Sequence, residues 1–547
     1  MNIGMLIDQN VEKYGTYESL FFEGRWYTND EMLKTGNRLA NALKALGVRK
    51  GDRVATQVPN CTHLFWTFNA IYRIGAVIVP VSPLLRPDQS AHIYADSGAC
   101  AVITSADYLP MILKVQQQVP TLKHLIVLEK TDVPGVLSHD EIISGQPESC
   151  DIADTDNDDV AALIYTAGTT GDAKGVMHTH FGLYVCSLDY VRSIEQSSSV
   201  TIKVGISYRD SRSNSAINYD MAAASLPVGM VSLHVLPLSH IYGLANLNMS
   251  TLTSGKSIVM KWWNAEQALK YIEQFKVTSI SLVPTMYIQM MDHPDFSKYN
   301  LWPLYSCNSG GAPLHPDTGR RWKEKTGLDL GNGWGMTETG AVSTGQPYGS
   351  PVKSGSVGKC YLNCMSIKVF DNKDNEVPAG ETGELVVRGP CVMKGYWNRP
   401  EPTAEALRNG WMHSGDVGHM DKDGYFYITD RMKDIIIRGG ENVSPKEVEN
   451  VLLEIPQMVD AGVIGVPDKT YGEEIAAFCV LRNGQDIKVE EIISYCKTKL
   501  PGYKIPKSVQ FVGELPRNAL GKLLRAELRK ITDPAALQNK TAPQSKP

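Results

Sequence analysis

The chain has 547 residues, of which 43% are hydrophobic and 21% charged, too long for one hydrophobic core, so at least two domains are expected. A net charge of −5 excludes the basic footprint of a nucleic-acid binder. The longest apolar runs fall well short of the ~20 residues a membrane span needs. The opening MNIGMLIDQNVEKYG lacks the basic region of a secretory signal, and a cytoplasmic protein is expected.

In chain order, Asn29 to Leu46 repeats apolar residues at helical spacing (Met32, Leu33, Leu39, Leu43), with Gly47 as its stop. A strand over GDRVATQVPN, a helix over HLFWTFNAIYRIG and the buried-strand run AVIVPV follow. That order implies right-handed βαβ units in an α/β sheet, which Ala101–Thr104 and His124–Leu128 extend. A second α/β stretch runs from about 159 to 316, with strands at VAALIYT, VSLHVLPL, SIVM and SISLVP. Within it, the Ser-, Gly- and Asn-rich text around 197–230 reads as a surface excursion. From Gly355 to Gly389, SIKVF and GELVVRG flank a turn-rich segment and predict antiparallel β structure, a small barrel-like subdomain. A small α+β module begins near Asp430. Ser444 to Glu447 forms a capping box with Pro445 at the first helical position, opening the helix EVENVLLEI. DAGVIGVP, IAAFCVL, EEIISYCKTKL and SVQFV complete the module, and 532–547 reads as a disordered tail. Ten scattered cysteines show neither zinc-ligand spacing nor a disulfide frame, and buried or idle thiols are expected.

The most informative segment is YTAGTTGDAKGV, Tyr165 to Val176, following the apolar strand VAALI. Its glycines let amide N–H groups converge on an anion, Thr166, Thr169 and Thr170 add hydroxyls, and Lys174 adds a mobile cation. This is a phosphate cradle, although the Walker A spacing is absent and Gly175 follows the lysine.

The segment resembles the signature loop of the adenylate-forming superfamily, which includes acyl-CoA synthetases, beetle luciferases and peptide-synthetase adenylation domains. It departs at Ala167 and Ala173, where serine and proline are usual. LPLSHIYGL (236–244), NSGGAPL (308–314), GNGWGMTETG (331–340), GWMHSGDVG (410–418), DRMKDIIIRGGENVSP (430–445) and LPRNALGKLLR (515–525) resemble the other motifs in the family's order. The resemblance reaches about Lys530. It implies a large N-terminal domain (1–430), a hinge (431–433) and a small mobile C-terminal domain (434–531).

The resemblance also implies ATP and Mg²⁺ as cofactors and coenzyme A as co-substrate. Thr166, Thr169, Thr170 and Lys174 would hold the β- and γ-phosphates. Glu338 would be the magnesium ligand, since this ion takes one or two carboxylates plus phosphate oxygens. Thr337 would donate to the α-phosphate. Trp334, where tyrosine is usual, would stack on adenine beside Gly335, with Gly311, Ala312 and Pro313 along the nucleotide. Asp416 would accept the ribose hydroxyls, Arg431 would brace them, and Lys522 would neutralise the carboxylate and α-phosphate during adenylation. Lys433 stands at the hinge position, and Gly439 and Gly440 would admit the CoA thiol.

His240, Tyr242, Gly243, Gly310 and Gly340 would line the acid site, where small residues and no basic one favour a medium-chain, aromatic or alicyclic acid. The expected activity is therefore that of an AMP-forming acid–thiol ligase acting on a carboxylic acid, ATP and CoA. No nucleic-acid partner is expected, and a homodimer is left open. A stand-alone adenylation enzyme loading a carrier protein, a luciferase-like oxygenase and a non-enzymatic nucleotide-binding protein are the alternatives. Glu338 and Lys522 together argue against the last.

Overall fold

The structure is a computed structural model. It describes residues 1–166, 173–195, 202–209, 216–223, 230–346, 352–360, 362–482, 484–517 and 522–531. Thr169, Thr170, the expected tail 532–547 and parts of the 197–230 excursion lie outside them. Two compact units emerge: Met1–Lys368 with Val386–His413, and Val369–Leu385 with Ser414–Pro547.

The first unit holds two sheets. One has eight strands, in the order Gly395–Tyr396, Lys174–Thr179, Val160–Thr166, Val77–Pro80, Arg53–Gln57, Ala101–Thr104, His124–Val127 and Val136–Ser138. The last six are parallel, and Lys174–Thr179 runs antiparallel to both neighbours. Val77–Pro80 and Ala101–Thr104 are buried throughout, the reason parallel strands read as continuous apolar runs. The helices Asn29–Ala45 and Thr62–Arg73 bring Leu39, Leu43, Phe68 and Ile71 onto this sheet's Ile78 and Ile103. Each such side chain contributes about 1.5–3 kcal/mol when fully buried.

The second sheet has seven strands: Gly331–Asn332, Ser306–Ser309, Ser279–Leu282, Val231–His234, Lys256–Val259, Glu18–Phe22 and Arg25–Thr28. The two N-terminal strands form a hairpin through Glu23 and Gly24, both at positive φ, and its first strand, Glu18–Phe22, pairs with Lys256–Val259. The sequence reading placed no strand before residue 51; the hairpin joins the second sheet, where its partner lies more than 200 residues away. The backbone of Ile202–Arg209 and Ala216–Ala223 forms a separate two-stranded antiparallel sheet within the excursion.

Strands Ser366–Phe370, Gly383–Arg388, Met412–Met420 and Phe426–Arg431 form a four-stranded sheet, with Asp416 opposite Arg431 on the last two. In the second unit, Glu441–Val443, Ile436–Arg438, Gly472–Leu481, Met458–Asp468 and Ser508–Phe511 make a five-stranded sheet, accompanied by helices Pro445–Leu453, Val489–Lys499 and Arg525–Ile531. The capping box at Ser444 forms only in half. Ser444 Oγ accepts from Glu447 N at 3.1 Å, but the Glu447 carboxylate takes Lys504 Nζ at 2.6 Å instead of turning back to the cap. Among the described residues no helix is long and apolar enough to cross a membrane.

Candidate active site

The phosphate-loop segment is carried on a hairpin. Val160–Thr166 and Lys174–Thr179 are antiparallel, and Thr166 and Lys174 face each other in register as its last pair before the loop. Lys174 is thus the first residue of a strand, not a loop residue, and its ammonium lies 5.2 Å from the centre of the Tyr396 ring. The Tyr165 ring covers Gly175, where a Cβ would come within 3.0 Å of it. Asp96, one residue before the end of helix Pro87–Ser97, ties the hairpin down. It accepts from Tyr165 Oη at 2.7 Å and pairs with Arg399 at 2.7 Å, while its backbone carbonyl accepts from Trp397 Nε1 at 3.0 Å.

Beyond strand Gly331–Asn332, Thr337, Glu338 and Thr339 form one buried 3₁₀ turn. Its geometry depends on a close backbone approach: a Cβ on Gly335 would sit 1.8 Å from the Ala341 carbonyl oxygen. Gly340 and Ala341 complete the reversal, both at positive φ. His178, pushed down to about 4 by burial, is hydrogen-bonded to the Thr337 backbone and backs the turn as a neutral ring.

Glu338 is 9% exposed, and its Oε1 accepts from Tyr396 Oη at 2.8 Å. Burial first, and the neighbouring Glu338 charge second, raise the Tyr396 hydroxyl, which therefore stays a donor. Oε2 accepts from no described residue. One anchored oxygen and one open oxygen suit a cation that shares its remaining ligands with phosphate, so the donor set fits magnesium. Sequence reasoning missed Tyr396. The GYW text carries no recognisable pattern, and its partner lies 58 residues away.

Next to this turn opens a pocket of about 850 Å³, solvent at its mouth included, lined by His240, Tyr242, Gly310, Gly311, Trp334, Gly335, Met336 and Ala341 among others. His240 caps helix Ile241–Thr251 through Nδ1, which accepts from Tyr242 N at 3.2 Å, so the neutral ring carries its proton on Nε2. Gly243 permits the helix to start against the preceding turn, because a Cβ there would lie 2.3 Å from the Pro237 carbonyl. Gly310 passes under the Tyr242 ring, 3.2 Å from where its Cβ would be. Trp334 is held by the Thr344 backbone on an isolated bridge. Thr337, Glu338 and Gly340 stand on the turn rather than on the pocket wall; Ala312 and Pro313 also fall outside the lining.

In the second unit Asp416, 4% exposed, receives Arg431 Nε at 2.8 Å. Lys522 lies near this pair and near Lys433 and Asp434; burial first, then the Arg431 charge, push its ammonium down to about 8. Lys433 occupies the short turn Met432–Asp434. Arg525, which the sequence reading passed over, bonds Glu449 at 2.7 Å and reaches Asp434 at 3.7 Å, fastening the Lys522 segment to that turn. Gly439 (φ 60°) and Gly440 (φ 89°) are the two central residues of a hairpin that pairs Arg438 with Glu441. Positive φ at both positions is what a tight two-residue hairpin turn demands, so local geometry already requires glycine there.

The hairpin ending at Thr166 and Lys174, the buried carboxylate with one open oxygen and the adjoining pocket all belong to the first unit. Comparison gives the family. The chain belongs to the AMP-binding enzymes: that family's description matches residues 7–397, and the AMP-binding enzyme C-terminal domain matches 447–522. It is 36% identical to a feruloyl-CoA synthase of Amycolatopsis sp, covering 93% of this chain and 94% of that protein. It is 31% identical to a long-chain-fatty-acid–CoA ligase of Bacillus subtilis, covering 96% and 93%. Among solved structures, an anthranilate CoA ligase in complex with anthranoyl-AMP superposes with a TM-score of 0.87 at 27% identity, covering 98% of both chains. An o-succinylbenzoate CoA synthetase from Bacillus subtilis, in complex with ATP and magnesium, gives 0.78 at 29% identity, covering 96% and 99%. The fold class and the acid–thiol ligase class expected from the sequence agree with these relatives.

Proposed function

We propose that this enzyme joins a carboxylic acid to coenzyme A in two half-reactions, the acid having an aromatic, alicyclic or medium-chain body. In the first, a carboxylate oxygen attacks the α-phosphorus of ATP, giving an acyl-adenylate and releasing pyrophosphate. In the second, the CoA thiol attacks the acyl carbon, AMP leaves and the thiol proton is lost to solvent. The observation that carries the reading is Glu338, with one oxygen fixed by Tyr396 and the other open, beside a lysine set over the same tyrosine ring. Magnesium bound there would offset the charge on the phosphates.

The chain's own groups have distinct tasks in this reading. Lys174, with Thr166 and the loop threonines 169 and 170, holds the outer phosphates. Thr337 donates to the α-phosphate, and Trp334 stacks on adenine. His240, whose proton sits on Nε2, orients the acid carboxylate. Asp416 and Arg431 take the ribose, and Lys522 supplies positive charge where it develops, a contribution that acts on the transition state. Residues 431–433 serve as the hinge between a large and a small domain. The Gly439–Gly440 hairpin serves thioester formation.

Incubation with ATP, Mg²⁺, CoA and pooled carboxylic acids, followed by mass spectrometry, tests the reading. An acyl-CoA product with AMP is expected. Acyl-adenylate without acyl-CoA would move the acceptor elsewhere, and no product from any acid would sink the assignment.

A further inference from the structure

The far wall of the acid pocket is polar. On strand Ser306–Ser309, Ser306 and Asn308 are two residues apart and share one face, whereas Cys307 and Ser309 are buried on the other. Asn308 pairs with Gly331 on the next strand, and a Cβ on Gly331 would lie 2.8 Å from Asn308 Oδ1 and 3.7 Å from Gln346 Cγ. Glycine at 331 therefore leaves a space between two carboxamides, and Asn308, Gln346 and Ser306 all line the pocket.

Both carboxamides are committed on their nitrogen side. Asn308 Nδ2 donates to Ser306 Oγ at 3.1 Å. Ser356 Oγ spends its one hydrogen on the Lys353 carbonyl at 2.9 Å, so it can only accept from Gln346 Nε2, at 3.2 Å. This fixes the Gln346 amide with Oε1 as the remaining acceptor. Gln346 Oε1 is buried and accepts from no described residue, while the half-buried Asn308, whose Oδ1 is not sealed off, has no described donor to that oxygen. Buried acceptors are normally satisfied, and on a pocket wall the missing donor arrives with the ligand. Among the described residues the pocket lining contains no Asp, Glu, Lys or Arg, which suits an uncharged donor.

The position is remote from the reacting carboxylate. Trp334 bridges Thr344 in antiparallel fashion, which carries Gln346 back to the level of Asn332. That is two residues, about 7 Å, behind Trp334 and further still from the Thr337–Thr339 turn. We propose that the acid activated here carries a hydroxyl at the end remote from its carboxylate, and that Gln346 and Asn308 accept hydrogen bonds from it. The proposal rests on the ligase reading above and narrows its acid class to hydroxylated acids.

The test compares acyl-CoA formation from 3-phenylpropenoic acids bearing hydrogen, hydroxyl or methoxy at the para position, together with a ten-carbon fatty acid and its ω-hydroxy analogue. Expected is a kcat/KM at least about tenfold higher for the hydroxyl member than for the unsubstituted one in at least one series, and higher than for methoxy. Methoxy keeps the bulk and removes the donor, so equality of hydroxyl and methoxy would overturn the proposal. So would equality of hydroxyl and hydrogen in both series. Gln346→Met should cut the hydroxyl-to-hydrogen ratio by about tenfold, and an unchanged ratio would overturn the role of Gln346. The wild-type series decides the matter even if that variant does not fold. No acyl-CoA or acyl-adenylate from any acid would overturn the ligase reading itself, and this inference with it.

Discussion

Lys522 illustrates how far a single side chain can be read. As sequence it is one lysine in a glycine-containing loop, and only the motif around it suggested a role. The structure adds a cause for its chemistry: burial and the Arg431 and Lys433 charges disfavour its ammonium, with Asp416 and Asp434 opposing them, and it settles at about 8. In the proposed role the charged form is the one that acts, and it is present below that value and lost above it. Acyl-adenylate formation, followed by ATP–pyrophosphate exchange, should therefore fall above about pH 8, nearing tenfold per pH unit. Lys522→Arg should move that limb upward, since guanidinium does not titrate there; a limb that stays put would assign it to another group. Tyr396 is the complementary case, invisible in the text yet bonded to Glu338. Tyr396→Phe removes a donor to a carboxylate, worth about 1.5–3 kcal/mol, and should raise the Mg²⁺ concentration needed for half-maximal exchange roughly tenfold. An unchanged magnesium requirement would argue against Glu338 as the ligand.

Elements were legible where periodicity is local. Asn29–Ala45, Thr62–Arg73 and Ala101–Thr104 lie where their apolar spacing placed them. The Glu18–Thr28 hairpin and the helix Arg525–Ile531 were not, the first because its sheet partner is distant in sequence, the second because no element was assigned after SVQFV within the expected domain. Turns depend on contacts that no local pattern encodes. Gly335 looks like any loop glycine, yet the Ala341 carbonyl occupies the space a side chain would need. Gly335→Ala should cost about 1–3 kcal/mol, seen as a lower Tm, and should depress adenylation by displacing the Thr337–Thr339 turn. Wild-type Tm and exchange rate in that variant would show the approach is not required. Ser444 caps its helix despite the lost capping box, and Ser444→Ala should lower stability by about 1 kcal/mol in urea titration.

At the scale of the molecule, the motif order anticipated a large α/β part and a small α+β part, and the family comparison agrees. The assignment of residues to units was less legible. The contact-defined second unit takes in Val369–Leu385 and the strand pair carrying Asp416 and Arg431, an association made by tertiary packing rather than by chain order. If Lys433 is a hinge, fixing its backbone should separate the two half-reactions. Lys433→Pro should keep ATP–pyrophosphate exchange within about threefold of wild type while slowing thioester formation at least tenfold. Equal loss of both would remove the hinge role.

Asp96 has a consequence for how this enzyme would respond to random mutation. One carboxylate outside the pocket lining joins Tyr165 before the phosphate loop to Arg399 just after Tyr396, and its backbone takes Trp397. Two segments more than 200 residues apart are thereby kept in register by a helix that belongs to neither. A saturation screen selecting for activity should therefore flag position 96 as intolerant, alongside residues that touch substrate. A screen selecting only for soluble, folded chain should let Asp96→Asn through.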